Sequence, residues 1–178
     1  TVTPKIEQNI AFPSDTYSVI VTNQITIIPT GGEGDGAVSF SSSDDSIVTV
    51  SSDGVVTGIS LGTVTVTATK AEDSTFAEAT AQTSVTVTPK LAQSITFGEQ
   101  SYTVVLGNSQ SVTASGGPGI GQISYVSSDS SIATVNSAGL VTGVAIGSVT
   151  ITAFKAADST YEEASATTTV NVSGLLQQ

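Results

Sequence analysis

A shift of 85 residues lays this chain on itself without a gap: from Thr3 to Thr88 against Thr88 to Ser173, 42 of 86 aligned pairs are identical. That period exceeds the roughly 20 to 50 residues of stacked solenoid repeats, so each copy must close a core of its own. The expected organisation is two domains in series, residues 1–88 and 89–178. Val2-Thr3-Pro4-Lys5 returns as Val87-Thr88-Pro89-Lys90, so residues 1–3 read as the end of a preceding repeat.

Within each copy the hydrophobic pattern has period two. Thr63-Val64-Thr65-Val66-Thr67-Ala68-Thr69 and Ser148-Val149-Thr150-Ile151-Thr152-Ala153-Phe154 alternate a hydroxyl with an aliphatic side chain, the signature of a strand with one buried face. Similar runs lie at 6–12, 17–21, 25–28, 38–42, 47–50, 55–57 and 84–88. Glycines punctuate them at Gly31-Gly32, Asp35-Gly36, Asp53-Gly54 and Gly62, echoed at Gly116-Gly117, Gly139 and Gly147. Short β-branched strands at this spacing predict an all-β fold of two tandem immunoglobulin-like β-sandwiches. With neither tryptophan nor cysteine, the space between sheets must be filled otherwise. Phe12, Tyr17 and Phe40 are the bulkiest candidates in the first copy, and Phe97, Tyr102 and Tyr125 in the second.

One stretch breaks the alternation. In Lys70–Ala79 and Lys155–Ala164, Thr75 with Glu78 and Thr160 with Glu163 have the spacing of a capping box, predicting a single helical turn with Phe76 or Tyr161 plugging the core. Between the copies, Val87-Thr88-Pro89-Lys90-Leu91 contains no glycine, and proline restricts both itself and its predecessor. A short, stiff junction is the expectation.

Ser42-Ser43-Asp44, Ile47-Val48-Thr49-Val50, Gly54-Val55-Val56-Thr57-Gly58 and Gly62-Thr63-Val64-Thr65-Val66-Thr67-Ala68, with their copies from Ser127 to Ala153, resemble the bacterial immunoglobulin-like domains of group 2. Such domains stand in tandem in intimin- and invasin-type surface adhesins. The frame covers the latter two thirds of each unit well and the first third loosely. Phe40 and Tyr125 stand where such domains often carry tryptophan. The resemblance implies a modular segment of an exported bacterial protein, extracellular and on the cell surface or secreted, with neighbouring repeats as partners. It implies no catalytic residue.

Composition narrows the chemistry. The chain has no cysteine, histidine or arginine, which removes thiol and imidazole nucleophiles, the usual zinc and copper ligands and any arginine clamp on phosphate. A net charge of −11 opposes nucleic acid and anionic membranes as partners. No apolar run reaches the about 18 residues of a membrane-crossing helix.

Oxygen donors are the remaining metal ligands in number, so calcium is the ligand to weigh. The candidates are Asp44, Asp45 and Asp53 around one strand and Glu33 with Asp35 in the neighbouring glycine-rich loop; the second copy keeps only Asp129. Turn aspartates bonding nearby backbone amides are the competing explanation. The lysines recur as Lys5 with Lys90 and Lys70 with Lys155, alongside Asn23 with Asn108 and Glu78 with Glu163, the residue types of an intramolecular isopeptide bond. Asp44-Asp45 or Glu162-Glu163 could be drawn as a glycosidase pair, but adjacent carboxylates point apart. Asn171-Val172-Ser173 reads as a closing strand rather than a glycan acceptor.

The function expected is a non-catalytic stalk or spacer of a bacterial cell-surface adhesin, serving cell adhesion. Two alternatives remain: domains that themselves bind a polysaccharide or host surface protein through loop tips, and a spacer in a secreted enzyme or phage virion protein.

Overall fold

The computed structural model describes residues 3–174, and the chain divides into two compact units, Thr1–Lys90 and Leu91–Gln178. Among the described residues there is no helix. The first unit contains β1 (Ile10–Ala11), β2 (Thr16–Ile20), β3 (Gln24–Thr26), β4 (Thr30–Gly31), β5 (Val38–Ser42), β6 (Val48–Val50), β7 (Val55–Gly58), β8 (Gly62–Lys70) and β9 (Ala79–Thr88). The second contains β10 (Ile95–Phe97), β11 (Ser101–Val105), β12 (Ser109–Ser111), β13 (Ala114–Gly116), β14 (Ile123–Ser127), β15 (Ala133–Val135), β16 (Leu140–Gly143), β17 (Gly147–Lys155) and β18 (Ala164–Ser173).

Each unit is a sandwich, the all-β architecture expected. In the first, a four-stranded sheet ordered β2-β9-β8-β5 faces a three-stranded sheet ordered β3-β7-β6, with β1 and β4 paired beside them. The second repeats this as β11-β18-β17-β14, β12-β16-β15 and β10-β13. The period-two pattern explains the facing: Val64, Val66 and Ala68 of β8 and Val85 and Val87 of β9 turn inward, against Ile27, Val48 and Val56 from the opposite side. Adjacent strands pair antiparallel, with one exception in each unit. β2 runs parallel to β9, and β11 to β18.

The aromatic rings sit at the margin of this core rather than its centre. Phe12 is buried, but Tyr17 and Phe40 are half-buried, and Phe12 meets Tyr17 edge-on at 6.5 Å between centroids. Among the described residues the largest fully buried side chains are Ile27, Ile151 and seven valines. Inner faces built from β-branched residues interdigitate closely, so that Phe12 joins the core and Tyr17, Phe40, Phe97, Tyr102 and Tyr125 pack against it partly buried.

Two local expectations are corrected. The run 6–12 is not one strand: Ile6 makes an isolated bridge to Phe76, and only Ile10–Ala11 pairs with β4 before the chain crosses to β2. No helical turn forms at 71–78 or 156–163 either. Asp73 Oδ1 accepts the amide N–H groups of Thr75 and Phe76, both at 2.7 Å, so this carboxylate organises the loop without the Thr75–Glu78 capping box. Phe76 is half-buried beside Ile6 and lies outside the buried core cluster. Thr1, Val2 and Leu175–Gln178 lie outside the described residues, and with them most of the expected remnant of a preceding repeat.

Candidate functional site

All fifteen acidic residues stand in loops or turns, none in a strand. This follows from the outward faces of the larger sheets being given over to hydroxyls. In β8 and β9 the outward register pairs are Thr63–Thr86, Thr65–Ser84, Thr67–Gln82 and Thr69–Thr80. The Thr63 and Thr86 hydroxyls lie 2.9 Å apart, and Gln82 Nε2 donates to Thr67 Oγ1 at 3.2 Å. Cross-strand hydroxyl pairs of this kind each add a few tenths of a kcal/mol to the sheet, up to about 1 kcal/mol.

The calcium candidates are divided among separate places. Asp44 and Asp45 follow the C-terminal end of β5, Glu33 and Asp35 precede its start, and Asp53 lies in the β6–β7 turn, where Ser51 Oγ accepts the amides of Asp53 and Val55. Asp44 Oδ1 accepts both the hydroxyl and the amide of Ser46, at 2.6 and 2.9 Å, and these bonds hold its carboxyl below the ordinary value of 3.8. Asp129 does the same with Ser131. Among the described residues, no three acidic side chains converge in a way that could hold a metal ion.

The most elaborate polar cluster lies elsewhere, at the end of the unit where β5 begins and β8 ends. Asp73 Oδ2 accepts Asp35 N–H at 2.7 Å, so the carboxylate that organises its own loop also ties down the glycine-rich loop before β5. Those three backbone donors, Phe76 and Thr75 first, lower the Asp73 pKa. Gln8 bridges the same two loops, donating from Nε2 to Ala77 O at 2.7 Å and accepting Gly34 N–H at Oε1 at 3.1 Å. Lys70 Nζ donates to Gly36 O at 3.3 Å.

The second unit rebuilds this clasp. Asp158 accepts Thr160, Tyr161 and Ile120 N–H, and Gln93 joins Glu162 O to Gly119 N–H. Lys155 is only 7% exposed and donates to Gly116 O and Gly117 O at 3.0 and 2.8 Å. A lysine at a strand end reads as a solvated charge in sequence; here its stem lies under the turn and its ammonium satisfies two carbonyls. The glycines serve close approach: a Cβ on Gly36 or Gly121 would run into the carbonyl oxygen of Ala71 or Ala156.

The isopeptide pairing fails on distance. Asn23 donates to Ile20 O and accepts Gly58 N–H at the Gly62 end of β8, whereas Lys70 ends that strand eight residues on, about 26 Å away at ~3.3 Å per residue. Lys5 stands at the Lys70 end, ion-paired with exposed Glu72 at 2.7 Å. The sequon Asn171-Val172-Ser173 lies within β18, as a closing strand.

Gln8, Asp73 and their copies carried a signal that sequence reasoning missed. They recur identically in both units, Gln8 as a polar residue within the run 6–12 and Asp73 in the stretch that breaks the alternation. Their hydrogen bonds to Asp35, Thr75, Phe76, Ala77, Gly34 and the equivalent positions of the second unit are to backbone of their own unit.

A doubled sandwich with this clasp at equivalent positions agrees with the family comparison, in which bacterial Ig-like domain (group 2) matches residues 14–81 and again 81–167. The chain belongs to the bacterial Ig-like domain family, group 2. Its group 2 units are also similar to Ice-binding protein 1 of Shewanella frigidimarina (strain NCIMB 400), 33% identical over 134 residues; the match spans 71% of this chain and 15% of that protein. Among solved structures, the S-layer protein rSbsC(31-844) superposes with a TM-score of 0.51 at 22% identity, over 96% of this chain and 28% of that one. The S-layer protein SbsC domains 4 and 5 align with a TM-score of 0.47 at 23% identity, over 83% and 82%. These likenesses concern the fold of the bacterial Ig-like units.

Proposed function

We propose that the two units are a non-catalytic spacer of an exported bacterial surface protein, a stalk segment that holds a distal adhesive domain away from the cell. One observation carries this reading. In both units three recurring polar side chains, Gln8 and Gln93, Asp73 and Asp158, Lys70 and Lys155, are spent on holding loops of the same unit together. Residues committed to backbone amides and carbonyls stabilise a module and offer little to a substrate. Family membership supports the setting, outside the cytoplasm among neighbouring repeats.

A second reading, direct binding of a polysaccharide or host surface protein by the loop tips, draws on the divergence of one loop. Glu33-Gly34-Asp35-Gly36 in the first unit is Pro118-Gly119-Ile120-Gly121 in the second, where Ile120 is 89% exposed. The scaffold repeats while the tip changes, as it would if tips met different surfaces.

Exchange in the parent protein separates the two. The units are replaced in frame by an unrelated Ig-like pair of equal length, and attachment of intact cells is measured beside surface labelling. A spacer tolerates the exchange and fails only when the segment is deleted. Loss of attachment on exchange, with competition by the purified two-unit chain, would reject the spacer and favour the loop tips. Calcium belongs to the same proposal: with Asp44, Asp45, Asp53, Glu33 and Asp35 divided, the thermal midpoint should be equal in calcium and in chelator.

A further inference from the structure

In each unit the first and last segments of chain run side by side in one direction. In the first unit the seam starts where Ile6 N–H donates to Thr75 O and Ala77 N–H to Ile6 O, at 2.8 and 2.9 Å. It continues through Gln8 Nε2 to Ala77 O, Thr83 Oγ1 to Ser14 O at 3.0 Å and Ser84 N–H to Asp15 O at 3.0 Å. It then becomes the five-pair parallel ladder from Thr16–Ser84 to Ile20–Thr88 and closes with Val21 N–H on Thr88 O at 2.9 Å. The second unit repeats the seam from Leu91 N–H on Thr160 O, through Thr168 Oγ1 on Glu99 O, to Leu106 N–H on Ser173 O.

The chain enters the seam at Ile6 and leaves at Thr88, from opposite ends. Tension applied to the two ends of a unit therefore slides β2 along β9, and all the bonds between them must stretch together. Were the strands antiparallel neighbours joined by a hairpin, the same tension would peel the pairs apart singly. We propose that this parallel seam gives each unit a mechanical function, resistance to end-to-end tension, carried by β2 on β9 and by β11 on β18. The inference rests on the spacer reading, in which a stalk between cell and anchored target is pulled along its chain. Burial supports it: Thr83 and Thr168, whose hydroxyls cross the seam, are 3% exposed, and water has little access to those bonds.

Single-molecule pulling tests this by changing direction instead of sequence. The chain has no cysteine, so introduced thiols are its only attachment points. In one experiment both handles are at the chain ends. In the other, one handle is at Gln24→Cys, an exposed site just past β2, and one is at the C-terminal end. The second geometry loads the first unit from Gln24 and Thr88, both at the same end of the ladder, so its pairs meet the force one at a time. The second unit stays loaded end to end as an internal control. Contour length distinguishes the events: 88 − 24 = 64 residues release roughly 220 Å, and the 85-residue repeat roughly 300 Å, at ~3.5 Å per residue. With five pairs sharing the load in shear and meeting it singly in peeling, the first unit's unfolding force should fall roughly three- to fivefold while the second unit's is unchanged. Equal forces for the two events would overturn the proposal, as would end-to-end pulling in which neither unit shows a resolved force peak. The measurement uses the purified chain, so equal forces here leave the spacer reading intact, and failure of the exchange experiment leaves the seam intact.

Discussion

Replacing Lys155 by methionine keeps the buried stem and removes the ammonium, which isolates what the charge contributes. The two bonds from Nζ, at 3.0 and 2.8 Å, each contribute about 1.5–3 kcal/mol as hydrogen bonds from a charged group. Against them stands the cost of holding an ammonium where the residue is 7% exposed, several kcal/mol. Gly116 is exposed and Gly117 half-buried, so water can partly satisfy the abandoned carbonyls. The balance is a loss of about 2 kcal/mol, which for a unit of this size lowers the midpoint by about 8–16 °C. Lys70, half-buried with a single bond of 3.3 Å, provides the internal comparison: Lys70→Met should cost only about 0.5 kcal/mol. Tyr102, Tyr125 and Tyr161 belong to the second unit and only Tyr17 to the first, so tyrosine fluorescence during urea or thermal unfolding reports chiefly on the unit carrying Lys155. An unchanged or raised midpoint for Lys155→Met would refute the reasoning, because it would show that desolvation outweighs both hydrogen bonds.

Three further outcomes are expected. Asp44, Asp73 and Asp129 have carboxyl pKa values below the ordinary 3.8, so their contribution is fully present above that value and is lost as pH falls through the lower folded values. Urea midpoints measured from neutral pH to about pH 2 should therefore drop below about pH 4, and Asp73→Asn should lower the plateau and flatten the drop; a steeper drop in the variant would contradict the clasp. Gly36→Ala and Gly121→Ala drive a methyl into a backbone carbonyl of Ala71 or Ala156, and each should cost its unit more than ~3 kcal/mol, read as a separated early transition in calorimetry. The intact mass of the purified chain should equal that of its unmodified sequence, since Lys70 and Asn23 stand at opposite ends of β8; a deficit of one ammonia or water per unit would contradict that placement.

Much of the fold was legible without coordinates, and particular residues show why. Val64, Val66 and Ala68 alternate with threonines, and alternation states which face of a strand is buried. The glycines at 31, 32, 54 and 62 all adopt positive φ, where glycine is favoured, although Gly31 lies in β4 and Gly62 opens β8. The Lys155 environment was illegible because a terminal lysine is almost always solvated, and its burial depends on the Gly116–Gly117 turn folding over it. Thr75 and Glu78 misled for a related reason: the loop's amides were already claimed by Asp73, two and three residues upstream.

By itself, the sequence determined that there are two units, that each is a β-sandwich, and that the chain carries no thiol, imidazole or guanidinium group. Those properties follow from periodicity and composition, which are local and additive along the chain. Tertiary structure alone decided that β2 runs parallel to β9, that Gln8 and Asp73 join loops about thirty to seventy residues apart, and that the acidic residues are dispersed among separate loops. Alternation carries no information on a strand's partner or direction. Those are set when both faces of the sandwich close and every buried amide and carbonyl must find a partner.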